Sequence, residues 1–313
     1  MDISQESSTV PSPEFPQPSD ESETRPDVGP DLAEPLLRAL AERALEEDLT
    51  AGDVTTDLVI PVRARASGRI VARESGVLAG RDLARVVFET LDDSMGVELE
   101  LDDGERLEAG DTILRVEGSA RSILQAERTA LNFLQRLSGI ATLTARFVDA
   151  VAGTRARIVD TRKTTPGLRA LEKYAVRCGG GANHRFSLSD GFLLKDNHRA
   201  VLRAEDRSLA SALEHARRHL SHTVVVEVEI DDPVRLEEVI EAGADAVLLD
   251  NFSVQELRGA VENARGRVLL EASGGITLET VGAVAETGVD LISVGALTHS
   301  APSLDLALDF EVT

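Results

Sequence analysis

The spacing of apolar positions changes character near residue 151. Before that point, apolar residues recur at helical spacing over residues 32–45 and 83–91, whereas residues 66–80 and 97–120 alternate between apolar and polar and are broken by Gly. Alternation predicts half-buried strands, and the wider spacing predicts amphipathic helices. This mixture predicts a small α/β sandwich, which we place at residues 31–138.

Two other segments of the first half give less regular patterns. GDVTTDLVIP (52–61) reads as a turn that leads into a short extended stretch. Residues 121–151 keep helical spacing throughout, and we expect a break at Ser138–Gly139. That break sets the predicted boundary between two domains.

In the second half, short β-branched runs alternate with helical runs. Helix starts are expected at an Asp followed by Pro in DDPVRLEEVIEAG, at Ser253 and at Thr277. Apolar runs separated by helices predict a parallel sheet buried on both faces, hence an α/β fold. We expect a β/α barrel, complete or partial, over residues 139–300, with a doubly wound open sheet as the alternative, and residues 301–313 are a candidate to pack on the first domain. The predicted strands are 156–160, 191–196, 223–229, 246–250, 268–273 and 291–295.

The first 30 residues have a different composition from the rest. They hold six of the eleven prolines and seven acidic residues, with one Arg. A segment of this kind cannot bury enough apolar surface to offset its chain entropy. We therefore predict a disordered acidic, Pro-rich tail over residues 1–30.

The chain has a formal net charge of −22, which limits its partners. Nucleic acids and anionic membranes need basic surfaces, so both are excluded as expected partners. No apolar run is long enough to span a bilayer, and the amino terminus does not resemble a signal peptide. The single cysteine, Cys178, suits a reducing compartment, and we expect a cytoplasmic protein.

Polar residues recur at or just after the carboxyl ends of the predicted strands. In a β/α barrel that end is the catalytic face, so six such groups in register predict the position of an active site. The groups are 160–163, 195–198, Glu229, 250–251, 273–275 and Gly295.

A basic cluster stands out against the acidic background. All three lysines of the chain, Lys163, Lys173 and Lys195, lie in or next to residues 161–185. Packed cations repel one another unless an anion neutralises them, so the cluster predicts a ligand with several negative charges. Ordinary surface ion pairs are the alternative for any one of these residues. The cluster comprises Arg162, Lys163, His184, Arg185 and Lys195.

Carboxylates and glycines occupy other strand ends. Glu229 and Asp250 suit sugar hydroxyls, a hydrated Mg²⁺ or both, with ion pairs to the basic cluster as the alternative. Glu227 faces the same side as Glu229 and is expected to support it. SGGI (273–276) and SVGAL (293–297) follow strands and precede helices, where backbone N–H groups bind phosphate, although tight turns alone would also explain their glycines.

Several motifs resemble those of the quinolinate phosphoribosyltransferase family, also called nicotinate-nucleotide pyrophosphorylase (carboxylating). The resemblance covers nearly everything after residue 31, and TRKTTPG and GGGxNHR are its most specific parts. The motifs are ERTALNFLQRLSGIAT (127–142), DTRKTTPGLRALEKYAVRCGGGANHR (160–185), DGFLLKDNH (190–198), VEVE (226–229), GADAVLLDNF (243–252), EASGGI (271–276) and ISVGALTHSAPSLD (292–305).

The resemblance implies an amino-terminal α/β sandwich, an incomplete TIM-like β/α barrel and a homodimer, with a higher oligomer left open. It implies transfer of phosphoribosyl from phosphoribosyl pyrophosphate to quinolinate with loss of CO2, which gives nicotinate mononucleotide and pyrophosphate. Mg²⁺ on the phosphates is the implied cofactor, with Glu229 and Asp250 as candidate ligands.

Residue roles follow from the same resemblance. Lys163, Glu229 and Asp250 are the implied catalytic residues, with Glu229 and Asp250 on the ribose hydroxyls. Arg128 is implied to reach the substrate from the partner chain, and Lys195 to bind anionic groups near the reacting centre. The implied quinolinate ligands are Arg162, Lys163, His184 and Arg185, with Thr161 beside them. The 5′-phosphate is assigned to the backbone of Ser273, Gly274, Gly275, Val294 and Gly295.

Other functions fit parts of the pattern. A related pyrophosphorylase-like protein would act on another anionic acceptor. A barrel aldolase would form a Schiff base through Lys195 or Lys163. A non-catalytic anion-binding protein would need the basic cluster alone.

Overall fold

The computed structural model describes residues 28–313, and its amino-terminal part is built on an antiparallel sheet. The strands of this part are β1 Arg65–Ala72, β2 Gly76–Val77, β3 Gly96–Leu99, β4 Arg106–Leu107, β5 Thr112–Ser119 and β12 Leu306–Val312. Four of them form a sheet in the order β12-β1-β5-β3, and β2 pairs with β4. The last strand of the chain therefore lies beside β1, where Leu306 is opposite Ala72.

Helices pack on this sheet, and further helices follow in the second half of the chain. They are α1 Glu34–Asp48, α2 Val54–Val59, α3 Arg81–Leu91, α4 Ala120–Ala150, α5 Arg169–Cys178, α6 Asp196–Ala204, α7 Leu209–His219, α8 Leu236–Glu241, α9 Val254–Ala264, α10 Val281–Ala285 and α11 Ala296–His299, with a 3₁₀ turn at Pro233–Arg235. Among these described residues, no helix is both long and apolar enough to cross a membrane.

Six parallel strands form the second half. They are β6 Arg157–Val159, β7 Phe192–Leu194, β8 Val226–Ile230, β9 Ala246–Asp250, β10 Leu269–Ser273 and β11 Leu291–Ser293, in the order β6-β11-β10-β9-β8-β7. The first of these strands, β6, pairs with the last, β11, as in a barrel. In a doubly wound sheet the order of the strands would instead reverse at a switch point in the middle of the sheet. The sheet is open between β6 and β7, so the α/β prediction is confirmed in the form of an incomplete barrel.

The segment 52–61 is a correction to the sequence reading, because residues 54–59 are helical rather than extended. The Asp53 side chain accepts a hydrogen bond from the backbone N–H of Thr56 at 3.0 Å. A carboxylate at this position satisfies a free N–H of the first helical turn and starts the helix. This cap outweighs the β-branched residues that suggested an extended chain.

The expected break at Ser138–Gly139 is absent, because α4 is one helix of 31 residues. Gly139 has a packing role instead: a Cβ there would overlap the carbonyl oxygen of Pro302, which crosses the helix at this point. The Ser138 hydroxyl is buried and receives the backbone N–H of Ala79 at 3.1 Å. One helix thus contributes to both halves of the molecule.

Residues 28–30 differ from the predicted tail, of which residues 1–27 lie outside the described part. Val28 is buried, and its carbonyl oxygen accepts a hydrogen bond from Arg177 Nε at 2.9 Å. Arg177 also donates to the carbonyl oxygen of Pro30 at 2.6 Å. The packed chain therefore begins at least as early as Val28, because the side chain of Arg177 satisfies this backbone.

Candidate active site

A cavity of about 390 Å³ lies at the carboxyl ends of the parallel strands. It collects most of the residues that the sequence assigned to substrate. Those that line it are Thr161, Arg162, Lys163, His184, Arg185, Lys195, Glu229, Asp250 and Ser273. Because they come from six segments along the barrel, at the ends of five strands and in the loop after α5, only the folded barrel brings them together.

Two arginines supply unneutralised charge at this cavity. Arg162 Nε is buried and has no hydrogen-bond partner among the described residues. Burial and the neighbouring charge of Arg162 lower the pKa of Arg185, which shows that the two guanidinium groups repel each other. An anion between them would supply the missing acceptor and relieve the repulsion.

Lys195 and Glu229 form an ion pair on the same cavity. Lys195 follows β7, and Glu229 lies at the end of the neighbouring strand β8, so parallel pairing brings the two side chains together. The Lys195 side chain is 44% exposed, whereas that of Glu229 is 12% exposed. The ammonium is therefore accessible to a ligand while the carboxylate fixes its position.

His184 has partners that the sequence reading did not foresee. Its Nδ1 accepts the backbone N–H of Arg185 at 2.7 Å, and its Nε2 lies 3.2 Å from Glu227 Oε2. Burial opposes a charged ring, but the hydrogen bond to Glu227 and the charges of Glu271 and Glu227 outweigh it and raise the pKa of His184. Both ring nitrogens therefore have partners within the described chain, and a direct contact of His184 with a quinolinate carboxylate stays a prediction.

The loop that carries His184 and Arg185 is held by a buried polar cluster. Lys173 is paired with Asp160 and donates to the carbonyl oxygen of His184 at 2.9 Å. Asp160 also accepts the backbone N–H of His184 at 2.8 Å and the amide of Asn183 at 2.8 Å. Burial raises the pKa of Asp160 and lowers that of Lys173, because neither charge is solvated. Lys173 therefore stabilises this loop from below and does not line the active-site cavity.

Glycines in the same loop allow it to pack closely against a helix. A Cβ at Gly179 would overlap the carbonyl oxygen of Ala141, and one at Gly181 would lie 2.7 Å from Thr144 Cγ2. Both neighbours belong to α4. The loop therefore rests directly on the long helix.

The expected phosphate site lies beside the cavity. Gly274 and Gly275 have φ values of +96° and +60°, and a Cβ at Gly274 would overlap the side chain of Asn251. The glycines occupy a turn well before α10, whose N-cap is Thr280 and not Thr277. The N–H of Val294 donates to the carbonyl oxygen of Val159 at 3.0 Å, and the binding of phosphate by this backbone stays a prediction.

Arg128 lies away from the cavity. It is exposed on α4, and within residues 28–313 no hydrogen bond or ion pair joins it to another side chain. Gly295, by contrast, closely approaches the site, since a Cβ there would lie 3.1 Å from Lys163 Cδ. One chain therefore forms the cavity without help from Arg128.

A cationic cavity that also holds carboxylates, at the carboxyl ends of a β/α barrel, defines a class of enzymes that act on anionic substrates. The sequence matches the model of the quinolinate phosphoribosyl transferase C-terminal domain over residues 140–309 and that of the N-terminal domain over residues 53–138. The chain therefore belongs to the quinolinate phosphoribosyltransferase family.

Individual relatives agree with this family. The nicotinate-nucleotide pyrophosphorylase [carboxylating] of Mycobacterium leprae is 47% identical over 281 residues, which cover 87% of this chain and 96% of the relative. The crystal structure of NadC from Streptococcus pyogenes is 40% identical, with a TM-score of 0.85 over 91% of this chain and 100% of that one. A Pyrococcus furiosus nicotinate-nucleotide pyrophosphorylase structure, at 20% identity and a TM-score of 0.65 over 90% of this chain and 78% of that one, shares the fold.

Proposed function

We propose that this chain transfers the phosphoribosyl group of phosphoribosyl pyrophosphate to the ring nitrogen of quinolinate, with loss of CO2. The products are nicotinate mononucleotide and pyrophosphate. The observation that carries the proposal is the shared cavity, which joins Arg162 and Arg185 to Glu229 and Asp250. A dicarboxylate and a sugar phosphate are the two ligand types that such a set accommodates.

Recognition of quinolinate is assigned to the basic side of the cavity. Arg162 and Arg185 each offer a planar pair of donors, which matches the geometry of a carboxylate. Lys163 and Thr161 stand beside them on the loop after β6. His184 orients Arg185 through its backbone and acts as a positioning residue.

The sugar side is assigned to Glu229 and Asp250. Asp250 accepts a hydrogen bond from the side chain of Asn251 at 2.9 Å and keeps free acceptor capacity for ribose hydroxyls. Glu229 is neutralised by Lys195, which leaves Asp250 as the better carboxylate for a hydrated Mg²⁺. Such a donor set fits Mg²⁺ that keeps several waters and is bound chiefly by substrate phosphates, where it would neutralise the leaving pyrophosphate.

The protein's part in the reaction is positioning and charge stabilisation. As the bond to pyrophosphate breaks, positive charge develops on the ribose. Glu229 and Asp250 line the active-site cavity, where their negative charges would stabilise it. The arginines hold the quinolinate carboxylates and so place the ring nitrogen near the ribose carbon that loses pyrophosphate. The nitrogen then attacks this carbon. When the adjacent carboxylate departs as CO2, the electron pair stays on the ring carbon and the positive charge of the quaternised nitrogen stabilises it, so the substrate itself supplies the stabilising charge.

The proposal includes a homodimer in which Arg128 serves the partner's site. Its support is the exposed, unpaired position of Arg128 on α4 within the described part of the chain. We also assign a cytoplasmic location, on the basis of the single buried cysteine, Cys178. A tobacco relative, 40% identical over 88% of this chain and 82% of its own length, is named as mitochondrial.

The deciding experiment measures pyrophosphate and nicotinate mononucleotide after mixing the protein with phosphoribosyl pyrophosphate, Mg²⁺ and either quinolinate or nicotinate. We expect turnover in the mixture that contains quinolinate and none in the mixture that contains nicotinate. Preference for nicotinate would indicate a related enzyme with another acceptor. Borohydride trapping of a carbonyl substrate on Lys195 or Lys163 would instead indicate an aldolase.

A further inference from the structure

Three titratable side chains meet inside the barrel, below the cavity just described. Glu227 on β8 and Glu271 on β10 point inward, and His184 reaches them from the loop after α5. His184 Nε2 lies 3.2 Å from Glu227 Oε2 and 3.7 Å from Glu271 Oε1. Both carboxylates are buried, Glu271 to 1% exposure. Two carboxylates in so little solvent cannot both remain ionised without a large cost.

The hydrogen bonding leaves one atom unexplained. Glu271 Oε1 is buried and has no donor among the described residues. A proton on Glu271 accounts for it, because the acid would donate to the neighbouring carboxylate of Glu227. Burial and the charge of Glu227 also raise the pKa of Glu271 to about 7, and a Ser293 hydrogen bond and His184 act in the opposite direction.

A metal ion is the alternative occupant of a His-Glu-Glu cluster. His184 Nδ1 accepts the N–H of Arg185 at 2.7 Å and therefore carries no proton. The proton of the ring must lie on Nε2, which is the nitrogen that faces both carboxylates. A metal would need that same nitrogen unprotonated, so the arrangement favours protons over a metal.

The cluster also separates two cavities. The active-site cavity lies at the carboxyl ends of the strands, and a second cavity of about 660 Å³ lies at their amino ends. His184, Arg185 and Glu271 line both, whereas Glu227 lines only the second. Glu271 therefore faces the substrate cavity and is connected through Glu227 and His184 to the opposite opening of the barrel.

The reaction needs a proton at this place. When CO2 leaves, the pyridine carbon keeps the electron pair of the broken bond and must gain a hydrogen. We propose that Glu271 enters the reaction as a carboxylic acid and donates its proton to that carbon, with Glu227 as the relay that replaces it and His184 as the residue that positions both carboxylates. This inference rests on the proposed function and names one further catalytic residue for it.

The step is balanced in atoms and charge. The bond between the ring carbon and the carboxylate carbon breaks, and CO2 departs without the electron pair. The proton of Glu271 forms the new C–H bond, which leaves Glu271 as a carboxylate. A proton from the amino-end cavity then passes by way of Glu227 to Glu271 and restores the acid, while His184 keeps its Nε2 proton. The charge of Lys173, which is paired with Asp160, acts to lower the pKa of His184. Arg185 lies close enough to Glu227 for their opposite charges to attract each other.

The test follows the two halves of the reaction separately in the full-length protein. Pyrophosphate release reports phosphoribosyl transfer, and nicotinate mononucleotide formation reports CO2 loss with protonation. The wild-type rates should be equal. In Glu271→Gln, nucleotide formation should fall roughly a hundredfold or more relative to pyrophosphate release, with the dicarboxylate nucleotide accumulating as the carbanion recaptures CO2. Glu271→Asp, which keeps an acid, should restore part of the ratio.

A purely structural role would lower both rates together, and equal rates in Glu271→Gln overturn the proposal. Infrared spectra give a second readout that does not depend on the variants' folding. The wild-type protein should show a protonated carboxylic acid near neutral pH, and a spectrum without one overturns the proposal, as does a stoichiometric metal that Glu271→Gln removes. If wild-type protein releases no pyrophosphate with quinolinate, the proposed function fails, while the infrared signal still tests the proton on Glu271.

Discussion

Lys173 and Asp160 form a buried ion pair beneath the substrate cavity, and this pair holds the loop that presents Arg185. Lys173 lies on α5, and Asp160 follows β6. The pair therefore ties a helix on the outside of the barrel to the end of its first strand.

Removal of the lysine should expose the cost of that buried carboxylate. We expect Lys173→Met to lower the free energy of unfolding by about 3–5 kcal/mol, because Asp160 is left buried without its cation. Urea denaturation measures the change. The double variant Asp160→Asn, Lys173→Met should recover part of the loss, and strictly additive losses would contradict the ion-pair account.

Two helical glycines offer a matched test of packing against α4. Gly139→Ala should be strongly destabilising, because the new methyl overlaps the carbonyl oxygen of Pro302. Gly259→Ala on α9 meets no atom within 4 Å and should gain roughly 0.5–1 kcal/mol from helix propensity. Thermal unfolding of both variants measures the contrast. A neutral Gly139→Ala would show that the carboxyl-terminal segment does not lie on the helix.

The partner role of Arg128 is tested by mixing two inactive proteins. Arg128→Ala and Lys163→Ala should each lose activity while keeping their folds. Mixed and refolded together, they should regain about a quarter of wild-type activity, since half of random dimers are mixed and each has one intact site. Circular dichroism confirms that each variant folds. No recovery in dimers shown to exchange subunits would exclude a shared site.

The buried acid also makes stability depend on pH. Burial and the charge of Glu227 raise the pKa of Glu271 from 4.5 to about 7 in the folded protein. The folded state therefore holds more protons between these values, so stability should be greatest below about pH 4.5 with respect to this group and decline as pH rises through 7. The loss should be of the order of 1–3 kcal/mol. Denaturation of wild type and Glu271→Gln at several pH values measures it, and identical slopes would contradict it.

The strand ends were the most predictable part of the molecule. Buried apolar runs fix the six parallel strands, and parallel strands bring polar side chains such as Arg162, Lys195 and Asp250 to one edge. Glu271 was within reach of the same reasoning, because it lies two residues before Ser273 and faces the same side of β10. Within EASGGI (271–276), only Ser273 and the two glycines were predicted to bind substrate.

Other features depended on contacts distant in sequence. Gly139 looks like a helix break until Pro302 is placed against it. The ring of His184 looks unpartnered until Glu227 is found beside it, and the N–H of Val294 looks free until it pairs with Val159. In each case the local pattern was read correctly, but a partner more than 40 residues away decided the outcome.

The pairing of β12 with β1 has a consequence for synthesis of the protein. The first sheet is incomplete until residues 306–312 have been made, which follow all six strands of the parallel sheet in the chain. Domains usually fold in order from the amino terminus while translation proceeds. Here the nascent chain must keep the β1 edge uncovered while the whole parallel sheet is synthesised, so the first sheet closes after the second has been made, and a chain that lacks residues 306–312 keeps an open edge that can pair with other chains.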